Sequence, residues 1–145
     1  ASDVTLHEMV QAYSSFATGK KMEPIFYKRI ENRDKIVLEE IYPKQTEVLN
    51  EGTVREMLIL LGAVVSEGTA AKAKELGRPL YGKTGTTNDY SDAWFIGFDE
   101  KLVLGVWVGR DNHTPIGDKE TGSMAALPIW MEFMKQAATD APAVK

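Results

Sequence analysis

The residues between Tyr81 and Asp89 combine small, hydroxylated and cationic side chains more densely than any other part of the chain. Residues 82–87 contain one lysine, three threonines and two glycines. Glycines let a ligand approach the backbone closely, and hydroxyl groups and an ammonium group can donate hydrogen bonds to an anion. This segment therefore predicts a binding site for a carboxylate or a phosphate.

One interpretation of the segment is a phosphate-binding loop, because residues 77–84 match the pattern G-x-x-x-x-G-K-[ST]. That mechanism requires a buried strand before the loop and a helix after it, so that backbone N–H groups converge on phosphate. Residues 70–76 are instead charged helix formers, and the turn-forming residues Asn88 and Asp89 follow the motif. A nucleotide-binding protein therefore remains only the alternative interpretation.

The flanking sequence favours a K-T-G motif, Lys83-Thr84-Gly85, on a strand at the edge of a sheet. Residues 80–86, 93–98 and 103–109 have the composition of short strands, and polar turns at 87–92 and 99–101 separate them. We expect an α/β fold of the α+β type, in which helices cover an antiparallel meander of about three strands.

Three helices are predicted around this meander. Thr5 and Glu8 form a capping box that begins a helix over residues 5–17, and Gly19 ends it. Asn50 caps an apolar helix over residues 51–66. The last helix spans about 123–138, and Pro128 moves its expected start towards residue 127.

Shorter elements connect these helices and strands. Residues 25–31 and 36–38 predict a hairpin with a solvated, mixed-charge face, and residues 41–45 predict a connector. Residues 70–76 predict a short helical turn before Gly77, and Ala141-Pro142-Ala143 predicts a frayed tail.

Several stretches, in chain order and spread over nearly the whole length, resemble one known family. They are Val4-Thr5-Leu6, Val64-Val65-Ser66-Glu67-Gly68-Thr69-Ala70, Gly82-Lys83-Thr84-Gly85-Thr86-Thr87-Asn88-Asp89, Asp92-Ala93-Trp94-Phe95-Ile96-Gly97, Gly105-Val106-Trp107-Val108-Gly109, Glu120-Thr121-Gly122 and Pro128-Ile129-Trp130. Together they resemble the last part of the transpeptidase domain of class A, bifunctional penicillin-binding proteins. The resemblance implies the serine β-lactamase and penicillin-binding transpeptidase fold, with residues 1–145 as the C-terminal part of one domain.

The resemblance also implies a reaction. In this family a serine attacks the carbonyl of a terminal D-Ala-D-Ala pair of a peptidoglycan stem peptide, and the acyl-enzyme passes the peptide to an amine. Penicillin and other β-lactam antibiotics acylate the same serine. The family works at the outer face of the bacterial cytoplasmic membrane, so the parent protein is expected to be membrane-anchored although this chain is not.

Matching positions in the motif imply a role for each residue. The hydroxyl groups of Thr84 and Thr86 would hold the carboxylate of the peptide or β-lactam, and the Thr86 N–H would be an oxyanion donor. Lys83 would supply positive charge and hydrogen bonds to a serine of an S-x-N motif. Gly85 and Thr87 complete the implied substrate-binding set, and Gly82 together with Gly85 would keep the strand edge clear.

The family's nucleophile is missing from the chain, because none of its six serines begins an S-x-x-K or an S-x-N sequence. The chain also begins at Ala1 without an initiator methionine. We therefore expect a segment that is inactive alone and requires the upstream segment of the same protein. A non-catalytic peptidoglycan-binding domain is a further alternative.

The composition indicates which kinds of binding site and membrane segment are not expected in this chain. The chain has 145 residues and a formal net charge of −4, which gives no indication of a nucleic-acid surface. It lacks cysteine, and His7 has neither a second histidine nor a thiolate nearby, so no metal site and no cofactor are predicted. No apolar run is long enough to span a bilayer.

Overall fold

The computed structural model describes residues 3–140 and contains three α-helices and seven strands in that range. The predicted tail at 141–143 lies outside the described residues. In chain order the elements are α1 (Leu6–Thr18), β1 (Lys20–Met22), β2 (Arg29–Glu31), β3 (Val37–Glu40), β4 (Gln45–Glu47), α2 (Glu51–Ser66), a 3₁₀ helix (Ala71–Leu76), β5 (Tyr81–Thr86), β6 (Asp92–Phe98), β7 (Val103–Gly109), a π-helical turn (Gly122–Ala126) and α3 (Leu127–Asp140).

The predicted three-stranded antiparallel meander is confirmed, in the order β5-β6-β7. Its register places Thr84 opposite Phe95, and Phe95 opposite Val106. Short turns connect these strands. In the turn between β6 and β7, the Asp99 carboxylate accepts hydrogen bonds of 2.9 Å from the N–H groups of Lys101 and Leu102. Within residues 3–140, β5 pairs with β6 alone, so its other edge is not covered by a strand.

One face of this sheet packs against α3. The fully buried Trp130 lies edge-on to Phe95 with 5.0 Å between ring centroids, and its indole N–H donates to the Leu104 carbonyl at 3.0 Å. A β-carbon on Gly97 would lie 3.0 Å from the Trp130 ring, which explains why the strand has no side chain there. The core therefore lies between the sheet and α3.

The opposite face packs against α1 and meets α2 near β5. A β-carbon on Gly105 of β7 would lie 2.6 Å from Val10 and 2.8 Å from Leu6, so α1 lies directly on the strand. Gly62 of α2 faces the ring of Tyr81. The sheet is thus covered by helices on both faces, with α3 on one side and α1 and α2 on the other.

The helix boundaries follow the capping signals of the sequence. The Thr5 hydroxyl accepts from the Glu8 N–H at 3.2 Å, while the Glu8 carboxylate accepts from the Thr5 N–H at 2.8 Å. Gly19 ends α1 with a φ angle of 77°, a conformation that favours glycine. Asn50 caps α2 by accepting from the Thr53 N–H at 2.9 Å. All three signals are therefore confirmed.

One feature of the fold differs from expectation. β4 begins at Gln45, the last residue of the predicted connector, and pairs with β1 to form a second, two-stranded sheet that the sequence did not predict. The later start predicted for the last helix, near residue 127, is confirmed, because residues 122–126 form a π-helical turn and α3 begins at Leu127. Pro128 then lies in the first turn of α3, where a proline is tolerated.

Candidate functional site

The open edge of β5 presents backbone groups of alternate residues. The Thr87 N–H donates to the Asp92 carbonyl at 3.1 Å, directly after the last ladder pair, Thr86 and Ala93. Because backbone groups that point towards the partner strand alternate with groups that point away from it, the N–H and C=O groups of Gly82, Thr84 and Thr86 point away from β6. The Thr86 N–H, assigned by resemblance as an oxyanion donor, therefore lies on the open edge.

Strand alternation also divides the side chains of the motif between two faces. The Thr84 and Thr86 hydroxyl groups lie on the face that packs against α3 and the π-helical turn. Lys83 lies on the other face, where Met9 and Tyr13 of α1 line a shallow pocket with it. Burial raises the pKa of the Tyr13 phenol, so its hydroxyl is un-ionised at neutral pH.

The exposed Lys83 ammonium group reaches back to the open edge. Its Nζ donates to the carbonyl oxygen of Thr84 at 2.9 Å. Since that carbonyl is one of the outward-pointing groups, the positive charge lies beside the same edge as the Thr86 N–H. The Lys83 ammonium from one face of β5 and the threonine hydroxyl groups from the other face therefore lie beside the outward-pointing backbone N–H groups of the strand.

Gly122 fixes the direction of the Thr86 hydroxyl. The Gly122 N–H donates to Thr86 Oγ1 at 3.0 Å, so the hydroxyl accepts in this bond and keeps its own hydrogen. A β-carbon at Gly122 would lie 2.3 Å from the Trp94 carbonyl oxygen and 2.6 Å from the Gly85 carbonyl oxygen. Only glycine allows the backbone at this position to approach the β5–β6 ladder so closely.

Thr69 provides the corresponding contact for Thr84. Their hydroxyl oxygens are 2.7 Å apart, which is hydrogen-bonding distance, and Thr69 lies in the turn that follows α2. Thr69 and Gly122 lie in stretches of the sequence that resemble the family, but the sequence predicts a role for neither residue. The contacts join positions 15 and 36 residues apart, a relation that local sequence patterns do not reveal.

Thr87, the last residue of the predicted binding set, belongs to the turn that closes the β5–β6 hairpin. Its hydroxyl accepts from the Asp92 N–H at 2.9 Å and lies 3.0 Å from the Ser91 hydroxyl. Hydrogen bonds from Thr87 and Ser91 lower the pKa of the Asp89 carboxyl. The Thr87 hydroxyl therefore forms its hydrogen bonds within the turn, whereas the hydroxyl groups of Thr84 and Thr86 lie on the strand itself.

The two glycines of the motif have packing roles. A β-carbon on the buried Gly82 would lie 2.8 Å from the Phe95 ring, and one on Gly85 would lie 3.2 Å from Trp94 Cβ. The family resemblance implies that both glycines keep the strand edge clear. The structure instead directs the missing side chains to the two faces of the sheet, because β-carbons point out of the sheet plane.

The phosphate-loop alternative does not fit this arrangement. Gly82, Lys83 and Thr84 lie inside β5, and the 3₁₀ helix Ala71–Leu76 rather than a buried strand precedes the motif. Across residues 3–140 there is no cluster of three or more His, Cys, Asp or Glu side chains that could hold a metal ion. In the same range, no helix combines the length and apolar character needed to cross a bilayer.

Comparison with known proteins decides the family. A family model described as the penicillin-binding protein transpeptidase domain matches residues 2–135. The chain belongs to the penicillin-binding protein transpeptidase family. This confirms the resemblance carried by the K-T-G segment and its flanking stretches, and it confirms the fold class.

Individual penicillin-binding proteins agree with this assignment. Penicillin-binding protein 1A of Aquifex aeolicus (strain VF5) is 46% identical over 134 residues, which are 92% of this chain and 18% of that protein. The crystal structure of penicillin-binding protein 1A from Haemophilus influenzae matches with a TM-score of 0.88 and 26% identity, over 98% of this chain and 27% of that one. The chain thus spans less than a third of each relative.

A more distant structure shares the fold. Penicillin-binding protein A from Mycobacterium tuberculosis, solved as an imipenem acyl-enzyme complex, matches with a TM-score of 0.68 and 19% identity. The match covers 91% of this chain and 31% of that chain. At this level of identity the match shows a shared fold.

Proposed function

We propose that this chain is the C-terminal part of a peptidoglycan D,D-transpeptidase domain and supplies the K-T-G wall of its active site. The observation that carries the proposal is the open edge of β5. There the outward-pointing Thr86 N–H, two threonine hydroxyl groups and the Lys83 ammonium lie along one strand.

Each group has a task in acyl transfer. The terminal carboxylate of a D-Ala-D-Ala stem peptide accepts hydrogen bonds from the Thr84 and Thr86 hydroxyl groups. The Thr86 N–H stabilises the negative charge that develops on the carbonyl oxygen under attack. Lys83 contributes positive charge next to the serine of an S-x-N motif. A β-lactam antibiotic binds through the same carboxylate contacts.

The nucleophile comes from outside residues 1–145, because no serine in the chain begins an S-x-x-K sequence. The upstream segment of the same protein is the proposed partner, with the serine and its general-base lysine. The complete enzyme acts on the outer side of the cytoplasmic membrane, where peptidoglycan is cross-linked. This chain alone is inactive.

A chimaera tests the proposal. The segment of the Aquifex aeolicus relative that matches this chain is replaced by residues 1–145, and acylation by a fluorescent penicillin is timed. We expect the chimaera to be labelled, and Lys83→Met to slow labelling by about a hundredfold, because it removes the positive charge beside the S-x-N serine and electrostatic contributions of this kind are of that order. Lys101→Met, at an exposed lysine in the β6–β7 turn, is the matched control and should leave the rate unchanged.

Thermal unfolding of the chimaera establishes that it is folded before labelling is compared. A folded chimaera that binds muropeptides without any covalent adduct would instead favour a non-catalytic peptidoglycan-binding domain. Labelling that is equally fast in the Lys83→Met and Lys101→Met variants would remove Lys83 from the proposed site.

A further inference from the structure

We propose that Thr69 is a positioning residue that orients the Thr84 hydroxyl for recognition of a ligand carboxylate. Thr69 donates its hydroxyl hydrogen to Thr84 Oγ1, so that the hydrogen of Thr84 is left to point at the anion. This inference rests on the proposed function, because it concerns the carboxylate-binding step of that site.

The two threonine hydroxyl groups have only two hydrogens between them. Each threonine hydroxyl has one hydrogen to donate and lone pairs to accept. With 2.7 Å between the two hydroxyl oxygens, one group donates to the other. If Thr84 were the donor, its only hydrogen would be directed at Thr69 and none would remain for a carboxylate. Carboxylate binding by Thr84 therefore requires Thr69 to be the donor.

Thr86, the other threonine of the motif on this face of β5, also accepts a hydrogen bond, and there the direction of the bond is unambiguous. A backbone N–H can only donate, so the bond of 3.0 Å from Gly122 N–H to Thr86 Oγ1 leaves the Thr86 hydrogen free. Thr84 and Thr86 lie on the same face of β5, two residues apart. With Thr69 as donor, both hydroxyl groups accept from the body of the protein and donate to the ligand. Such chains of hydrogen bonds strengthen one another.

The backbone around Thr69 is held firmly enough to position a side chain. The Gly68 N–H donates to Val64 O at 3.1 Å and the Ala70 N–H to the same oxygen at 3.2 Å. A β-carbon on Gly68 would lie 2.9 Å from Val64 Cα, and Ala70 is fully buried. Thr69 thus lies between two packed residues, although its own side chain is exposed.

The chimaera described above allows a direct test with Thr69→Val, which removes the hydroxyl and keeps the shape of the side chain. We expect acylation by benzylpenicillin to slow by about threefold to tenfold, the effect of one hydrogen bond. Acylation by the benzylpenicillin methyl ester, which lacks the carboxylate charge, should be unchanged. Thr69→Ser should restore the rate, and Thr46→Val, on the exposed strand β4, should have no effect.

A double-mutant cycle distinguishes positioning from a general structural effect. When Thr84 is already valine, Thr69→Val should cause no further slowing, because its only route to the ligand has been removed. Equal slowing with penicillin and its ester, or full slowing in the Thr84→Val background, would overturn the inference. Either result would leave the proposed function intact, since that depends on acylation of the unsubstituted chimaera.

Discussion

At the scale of single residues, contacts from outside the motif set the geometry of β5. Thr86 has its N–H at the open edge because of strand register, and its hydroxyl direction because Gly122 donates to it. Neither determinant is part of the K-T-G sequence. The candidate site is therefore a property of β5 together with the turn before α3 and the turn after α2.

Alanine substitutions at two glycines should shift stability in opposite directions. Gly122→Ala forces a β-carbon into the Gly85 and Trp94 carbonyl oxygens, and overpacking of this kind costs about 1–3 kcal/mol of unfolding free energy. Gly62→Ala, in the middle of α2, places its β-carbon 3.5 Å from the Tyr81 ring, an ordinary contact. It should stabilise the chain by about 0.5–1 kcal/mol through helix propensity.

Urea unfolding of the two variants and the wild type measures both free energies. A Gly122→Ala protein as stable as wild type would show that the loop does not lie against the β5–β6 ladder as described. Loss of stability in Gly62→Ala would show that α2 approaches Tyr81 more closely than the structure indicates.

The residue types of the candidate site could be predicted from the sequence, but the directions in which their hydroxyl and backbone groups point could not. The K-T-G pattern and its flanks identified Lys83, Thr84 and Thr86, because few other sites place a cation and hydroxyl groups next to glycine. The partners Thr69 and Gly122 come from distant turns whose approach depends on how α2 and α3 pack. Such packing cannot be derived from local sequence.

At the scale of elements, the helices were predicted well where a capping signal coincides with an apolar period. The α1 helix begins and ends at its Thr5 and Gly19 signals, and α2 begins after Asn50. The small sheet of β1 and β4 was missed because its strands are three residues long, polar and more than twenty residues apart.

The capping box of α1 should make the stability of its first turn depend on pH. Hydrogen bonds from the Thr5 backbone N–H and hydroxyl lower the pKa of Glu8 below its ordinary value of 4.5. A carboxyl group with a lowered pKa stabilises the folded state above that ordinary value, and the contribution is lost as pH falls through the lowered one.

Amide hydrogen exchange in the first turn of α1 measures this effect. After correction for intrinsic exchange rates, we expect protection to decrease below about pH 4.5 in the wild type. In Glu8→Gln, which retains a side-chain carbonyl but does not titrate there, the decrease should be absent. The same pH dependence in both proteins would assign the effect to another carboxyl group.

At the scale of the whole molecule, several large apolar side chains lie exposed on the helices around the sheet. On α2, Ile59 and Leu60 are 67% and 62% exposed, and on α3, Ile129 and Phe133 are 53% and 52% exposed. Apolar groups arranged in this way commonly mark surfaces that another segment covers. Since the chain spans 18% of its Aquifex aeolicus relative, these surfaces agree with the proposal that an upstream segment completes the domain.

The central claim is that residues 1–145 form one wall of a penicillin-reactive site whose nucleophile lies outside them. Intact-mass and peptide-level mass spectrometry after incubation with benzylpenicillin tests it most directly, on this chain alone and on the Aquifex aeolicus chimaera. We predict no adduct on the isolated chain, and one adduct on the chimaera at a serine outside residues 1–145. A covalent adduct on any of the chain's own six serines would contradict the account.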